Sequence, residues 1–245
     1  MAFRSVTVIS TPDGGSGHTI TKPAGTVDGD ILIFAAVTDG TGGTLGVPSG
    51  FSSTFGSADL SNITSTADGQ TLTIGWKIAA SEGASYSYLA AGARSTIVFM
   101  AAYSGRDGTS TINAALATSN NSSNASPWSI NLSQITTNVD GCDLLAIATS
   151  DVGTSAAALA YTPPGGWTER VDAGEPTTQY RNFTLADFNQ TSQGATGIIT
   201  IVGTCAGVNA GWSGALIALA PSGGGGSSPV GPSTLLATVT RRLGA

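Results

Sequence analysis

Hydrophobic and polar residues alternate in short bursts along this sequence, and Gly, Pro, Asn or Asp bounds each burst. A two-residue alternation is typical of half-buried β-strands, whereas an amphipathic helix repeats its apolar positions every three to four residues. In residues 71–78, even-numbered positions such as Leu72 and Ile74 would face the core. Odd-numbered positions such as Thr71 and Thr73 would face solvent. The pattern predicts strands at residues 5–10, 18–22, 30–38, 71–79, 85–90, 95–103, 128–133, 143–150, 166–171, 178–188, 197–204 and 213–220.

The sequence also repeats itself once. Residues 27–36 read VDGDILIFAA and residues 139–148 read VDGCDLLAIA, so the same turn precedes an apolar run in both places. A Pro-containing turn that ends in an aromatic residue follows each copy, at residues 47–51 and 162–167. The spacing between matched positions grows along the chain, which indicates loops of different length. The repeat therefore predicts one duplicated β-architecture rather than a tandem array.

The strand spacing predicts an all-β fold, an antiparallel β-sandwich body over residues 1–220 with internally duplicated halves. The halves are expected at about residues 20–107 and 130–220. Residues 118–126 are polar and lack apolar periodicity, so we expect a surface loop between the halves.

A linker and a short tail are predicted after the body. Residues 221–233 are rich in Gly, Ser and Pro, a composition typical of a flexible linker. Residues 234–245 are apolar and basic, and too short to fold alone. We expect this tail to dock on a neighbouring subunit, with a frayed terminus as the alternative. The docking residues would be Leu235, Leu236, Val239, Arg241, Arg242 and Leu243.

Composition narrows the choice of partners. Charged residues make up only 10% of the 245 residues, while 34 are Gly, and the mean hydropathy is slightly positive at +0.18. Such weak charge repulsion favours a place inside an assembly, and we expect a homo-oligomer. The net charge of −6 argues against nucleic acid, whose phosphates require clustered Lys and Arg. The apolar runs are too short for a membrane-spanning helix, and no secretory signal is visible.

Residues that carry catalytic or metal chemistry are sparse. His18 is the one histidine, and it follows a glycine-rich turn without a nucleophile motif. Cys142 and Cys205 lack C-x-x-C spacing, so we expect buried free thiols, with a disulfide between them as the alternative. The Asp-Gly turns at residues 28–30 and 140–143 could offer carboxylates to calcium, but a positive-φ turn is favoured. We therefore predict no catalytic residue, no metal site and no cofactor.

Aromatic residues offer a second interpretation, because exposed rings on a β-sandwich can stack on sugars. Trp76 lies in phase with Leu72 and Ile74, and Trp167 and Phe51 occupy matched positions, so these rings are expected in the core. The remaining candidates for contact with a host surface glycan are Trp128, Tyr161 and Tyr180.

Several strand and turn motifs resemble a known group of proteins. They are a Pro-x-Gly-x-x-x-Gly-Asp segment at residues 23–30, Pro-Ser-Gly-Phe at 48–51, Trp-Lys-Ile-Ala at 76–79 followed by Glu82, and Ala-Tyr-Ser-Gly at 102–105. This combination resembles tailed-bacteriophage and prophage structural proteins with jelly-roll-like folds, which serve as head-decoration or tail and fibre components. The Phe at position 51, where Trp is more usual, departs from that pattern.

The resemblance implies a jelly-roll-like sandwich and a non-enzymatic structural role in the virion. We expect a capsid-decoration protein, made in the host bacterial cytoplasm, whose partners are the major capsid protein or tail and neck subunits. The alternative is a tail or fibre module that recognises bacterial surface glycans, and a glycan-degrading enzyme is a more remote alternative.

Overall fold

The computed structural model describes residues 2–11, 17–39, 44–65, 69–91, 96–106, 111–120, 124–151, 160–174, 181–205, 208–209 and 211–222. All the secondary-structure elements assigned within these residues are β-strands, so the predicted all-β class is confirmed. None of the described elements is a helix that could cross a membrane. The strands of the first half are β1 Ala2–Thr11, β2 Gly17–Thr21, β3 Ile31–Asp39, β4 Thr44–Leu45, β5 Thr54–Phe55, β6 Ala58–Asp59, β7 Ile63–Ser65, β8 Gln70–Ile78, β9 Ser85–Ala91 and β10 Thr96–Ser104.

The second half repeats this series. Its strands are β11 Ile112–Asn120, β12 Asn124–Ala125, β13 Trp128–Leu132, β14 Thr136–Thr137, β15 Cys142–Asp151, β16 Ala160–Thr162, β17 Thr168–Gly174, β18 Arg181–Gln190, β19 Gly194–Ala195, β20 Ile199–Thr204, β21 Val208–Asn209 and β22 Gly211–Leu219. Each of the predicted strand segments overlaps one of these strands.

Each half places eight strands in one five-stranded and one three-stranded sheet, all antiparallel. The five-stranded sheets have the orders β1-β10-β3-β8-β7 and β11-β22-β15-β18-β17, and the three-stranded sheets have the orders β2-β9-β4 and β13-β20-β16. Corresponding strands occupy corresponding places, so the duplication read from the sequence is a duplication of topology. The halves begin at β1 and β11, earlier than the sequence pattern suggested. A jelly roll divides its strands between two sheets, and that more specific assignment stays a prediction.

Three apolar cores separate four stacked layers. The two five-stranded sheets pack face to face through residues of both halves, among them Ile33, Phe99, Phe183 and Ile217. A second core lies between the five-stranded and three-stranded sheets of the first half, and a third occupies the same place in the second half. The five-stranded sheets are therefore inner layers with both faces covered. This explains the near-continuous apolar runs of β3, β10, β15 and β22, because strands buried on both faces lose the alternation.

The second face of β8 is covered, although the sequence pattern predicted that it faces solvent. Thr71 and Thr73 were expected to face solvent, but both are buried. The chain after β4 crosses that face, and a Cβ placed on Gly75 would lie only 2.7 Å from Val47. Glycine is required at position 75 because Val47 occupies the space that a side chain would need.

The segment between the halves also differs from its prediction. Residues 118–126 were expected to form a loop, but β11 extends to Asn120 and β12 begins at Asn124. The β11 strand pairs with β22, for example Ala115 with Ile217. Its alanines and polar residues show little alternation, because an edge strand is held largely by backbone hydrogen bonds to its neighbour.

Candidate binding site between the two halves

The aromatic residues proposed for glycan contact lie in the core where the structure describes them. Trp128 and Tyr161 are each 3% exposed and belong to the apolar core of the second half. The Tyr161 hydroxyl lies 2.6 Å from the Ser150 hydroxyl. A buried ring cannot stack on a sugar, so the expectation for these two residues was wrong. The alternation of Trp128 with Ile130 was the signal in the sequence that places its ring in the core.

The other proposed contact residues lie outside the described residues. Tyr180 precedes β18, and the predicted docking residues of the tail follow residue 222. Both therefore stay predictions.

The two cysteines are free thiols. Cys142 is buried, and burial raises the pKa of its thiol to about 11. Cys205 is half-buried.

His18 of β2 stacks on Tyr88 with 5.5 Å between ring centroids. No group of three or more His, Cys, Asp or Glu residues is placed to hold a metal ion within the described part of the chain.

The Asp-Gly turns have the structural role that the sequence favoured. Gly29 and Gly141 adopt φ angles of 92° and 71°, in the left-handed region that suits glycine. Asp28 Oδ1 accepts a hydrogen bond of 2.7 Å from the Ser81 amide, and Asp140 Oδ1 accepts one of 2.7 Å from Gln193. These carboxylates therefore tie each turn to the loop that follows the neighbouring strand.

A polar pocket of about 360 Å³ lies at one end of the core between the five-stranded sheets. We call it the inter-half pocket, because β1 of the first half and β17 of the second half meet there. Its lining includes Phe3, Asp143, Thr168, Arg170, Asp187 and Asn189.

Hydrogen bonds join most of the polar groups of the inter-half pocket. Arg170 Nε donates to Asp187 Oδ2 at 2.8 Å, and the Tyr103 hydroxyl donates to the same oxygen at 3.2 Å. Asn189 Nδ2 donates to Asp143 Oδ1 at 2.7 Å. The guanidinium of Arg170 also lies over the ring of Phe3, with 4.5 Å from Cζ to the ring centroid. The orientation of Arg170 is therefore fixed from two sides.

The electrostatics of the pocket follow from its burial. Asp143 and Asp187 are only 8% and 9% exposed. Burial, and then the adjacent Asp187 carboxylate, raise the pKa of Tyr103 well above its ordinary value, so this hydroxyl remains a donor. The hydrogen bond to Asp187 raises the pKa of Arg170. The ion pair of Arg170 and Asp187 thus lies at the boundary of an apolar core.

The matching place in the other half of the same core is apolar. The alignment of the two repeats places Ile31 opposite Asp143, and the strand registers then match Trp76 with Asp187 and Leu219 with Tyr103. There Trp76 donates its indole N–H to the Thr54 carbonyl at 2.8 Å.

The short hairpin of β5 and β6 covers that apolar place. Its Phe55 is fully buried in the shared core, with its ring centroid 6.3 Å from that of Trp76. Ser52 bridges to Trp76 as Thr168 of β17 pairs with Asp187, but β17 continues without a hairpin, so the β5–β6 hairpin has no counterpart in the second half. The inter-half pocket is therefore the place where the duplication is broken. The alignment of the two halves gave a signal for this difference, because it matches the apolar Ile31 with the charged Asp143.

No protein-family model matches this sequence, and neither does any curated protein or solved structure.

Proposed function

We propose that this chain is a non-enzymatic structural protein of a bacteriophage particle, and that it decorates the capsid by binding neighbouring virion subunits. The observation that carries this proposal is the chemistry of the two outer layers. The six strands of the three-stranded sheets, β2, β9, β4, β13, β20 and β16, contain no Asp, Glu, Lys or Arg.

The side chains that these layers turn to solvent are uncharged, and apart from Leu89 most of them are small and polar. On the first half they include Thr19, Ser85 and Ser87, and on the second half Ser129 and Asn131. The edge strands of exposed sheets usually carry charges, and lysines in particular, that discourage contact with another chain, but the edge strands β2, β4, β13 and β16 carry none. The cores of protein interfaces are depleted in charge. Two uncharged faces on opposite sides of one body suit a subunit that packs between neighbours.

Several charged residues in the described part of the chain join neighbouring segments instead. Arg4 Nε lies 2.6 Å from Asp30 Oδ2 and Lys77 Nζ lies 2.8 Å from Glu82 Oε1, each pair joining neighbouring segments. The resemblance of the strand and turn motifs to phage structural proteins supports the same role. The tail at residues 234–245 would add a second, tethered contact, and the chain would function as a homo-oligomer in the virion.

The proposal is tested by quantitative mass spectrometry of purified particles produced with this chain. One copy for each major capsid protein is the expected result. A few to a few dozen copies for each particle would place the chain on the neck, tail or fibre instead. Absence from the particle would overturn the structural role.

A charge placed on an outer layer tests the surface itself. Ser87→Glu should lower the copy number about tenfold or more, because an unpaired charge buried in an interface costs about 1–3 kcal/mol. Ser49→Glu is the matched control, since Ser49 is equally exposed but lies in a turn. Equal incorporation of both variants would show that this layer is not the contact surface.

Deletion of residues 223–245 should reduce attachment while the circular dichroism of the body is unchanged.

A further inference from the structure

We propose that the inter-half pocket binds a neutral, hydroxyl-rich ligand, such as one sugar unit of a polysaccharide. The assignment does not depend on the structural role in the particle, because it rests on the pocket alone. Its residues differ from the aromatic residues that the sequence suggested for glycan contact.

Packing alone does not explain the polar residues of this pocket. The equivalent place in the shared core is closed by Ile31, Leu219 and Phe55, which are fully buried apolar side chains. Asp143 and Asp187 take the places of Ile31 and Trp76. A carboxylate at the boundary of an apolar core loses hydration, and this cost exceeds that of an apolar side chain that would fill the space. The first half shows that apolar side chains can close this place in the core. The second half nevertheless keeps an open polar cavity there.

The pocket offers both donors and acceptors. Among the described residues, the hydrogen bonds to Asp187 end on Oδ2 and the hydrogen bond from Arg170 starts at Nε. Asp187 Oδ1 and the two terminal nitrogens of Arg170 therefore keep capacity for a ligand. Asn189 donates through Nδ2 to Asp143 and to the Gly141 carbonyl, so its own Oδ1 can accept. Adjacent donors and acceptors match the hydroxyl groups of a sugar, each of which can donate one hydrogen bond and accept others.

Charge and size select further among ligands. Arg170 is paired with Asp187, so its charge is already balanced and a phosphate or a carboxylate ligand is disfavoured. The same pairing balances the charge of Asp187, which disfavours a cation. The volume of about 360 Å³ is at the lower end of the range of ligand pockets, so it suits one small unit rather than a buried chain.

An aromatic side chain borders the pocket. Phe3 lines it, and the Arg170 guanidinium lies over its ring. The ring of Tyr103 lies edge-on to Phe3 with 5.5 Å between centroids, so the Phe3 ring is held from two sides. This ring gives the apolar face of a sugar a surface to contact, while its hydroxyls reach Asp187, Arg170 and Asn189.

The test is a titration of the full chain followed by NMR, with the Nε–H signal of Arg170 as the reporter. The probes are the methyl glycosides of glucose, galactose, mannose and N-acetylglucosamine. Inorganic phosphate and putrescine are the charged probes. We expect saturable shifts with at least one glycoside and a Kd of about 1–10 mM, as suits a few hydrogen bonds and one ring contact.

Two variants locate the binding. Thr168→Trp should block the pocket and abolish the shifts, whereas Thr136→Trp, at another exposed strand position, should bind as the wild type does. Asn189→Ala should weaken binding at least about tenfold, which provides a second readout if Thr168→Trp does not fold. The proposal is overturned if no glycoside gives a saturable shift or if Thr168→Trp and Asn189→Ala bind like the wild type. Tighter binding of phosphate or putrescine than of every glycoside would also overturn it.

Discussion

At the scale of single residues, Glu82 illustrates how this chain uses its few charges. Its Oε2 accepts hydrogen bonds from Lys77 Nζ at 2.9 Å and from the Tyr86 hydroxyl at 2.8 Å, and its Oε1 accepts one of 2.8 Å from the Ala80 amide. Burial by itself would raise the pKa of Glu82, but the hydrogen bonds from Lys77, Ala80 and Tyr86 outweigh it and lower the pKa below 4.5. The charged form is therefore the form that joins the end of β8 to β9.

This lowered pKa makes stability depend on pH in a defined direction. A carboxyl whose pKa is lower in the folded state stabilises the fold above its unfolded value, and loses that contribution as the pH falls through the folded value. Glu82→Gln should lower the free energy of unfolding at pH 7 by about 1–3 kcal/mol. The difference from the wild type should narrow below pH 4.5, as measured by urea denaturation between pH 3 and 7.

Glu169 provides a control of opposite sign. Burial, and then the nearby Asp172, raise its pKa. Glu169→Gln should therefore leave the protein as stable as the wild type at pH 7, or more stable. A Glu82→Gln variant whose deficit is the same at pH 3 and pH 7 would contradict the proposed role of the carboxylate.

At the scale of elements, the packing of the two five-stranded sheets on one another is the principal contact between the halves. Phe99 of β10 and Phe183 of β18 meet in this core with 4.9 Å between ring centroids. The apolar run of β10 predicted a buried strand, but a strand pattern gives no information about which sheet covers each face. That pairing depends on residues far apart in the sequence.

The contact between these rings can be measured by a double-mutant cycle. We expect Phe99→Leu and Phe183→Leu each to destabilise the protein, and the double variant to lose less than the sum. The coupling free energy should be about 0.5–1.5 kcal/mol, since each single change already removes the ring contact. The exposed Leu89 provides the control, because Phe99→Leu and Leu89→Ala should be additive. Additivity of the two phenylalanine changes would show that the rings do not contact.

At the scale of the whole molecule, the shared core should make the two halves unfold together. Separation of the halves would leave each half its own core between two sheets but would expose the other buried face of each inner sheet. We expect one transition in calorimetry of the full chain, with equal calorimetric and van't Hoff enthalpies.

Core variants in either half test this cooperativity. Ile20→Ala in the first half and Ile130→Ala in the second remove side chains that are both fully buried. Each should cost about 2–5 kcal/mol and lower the midpoint of the same transition. Two transitions, of which each variant moves only one, would show that the halves unfold independently.

The sequence by itself determined the class of fold, the long strands and the duplication, because these depend on local alternation and on turns such as Asp28-Gly29 and Asp140-Gly141. Strand phase for Trp76 and a matched turn for Trp167 also predicted rings directed at the core, and both pack against a core while partly buried. Only the tertiary structure decided that Thr71 and Thr73 are covered and that Tyr161 is buried, because those positions depend on segments distant in sequence. The inter-half pocket was also decided only by the tertiary structure. The substitution of Asp143 for Ile31 is visible in the sequence, but its meeting with Phe3, Tyr103, Arg170 and Asp187 results from the packing of one half on the other.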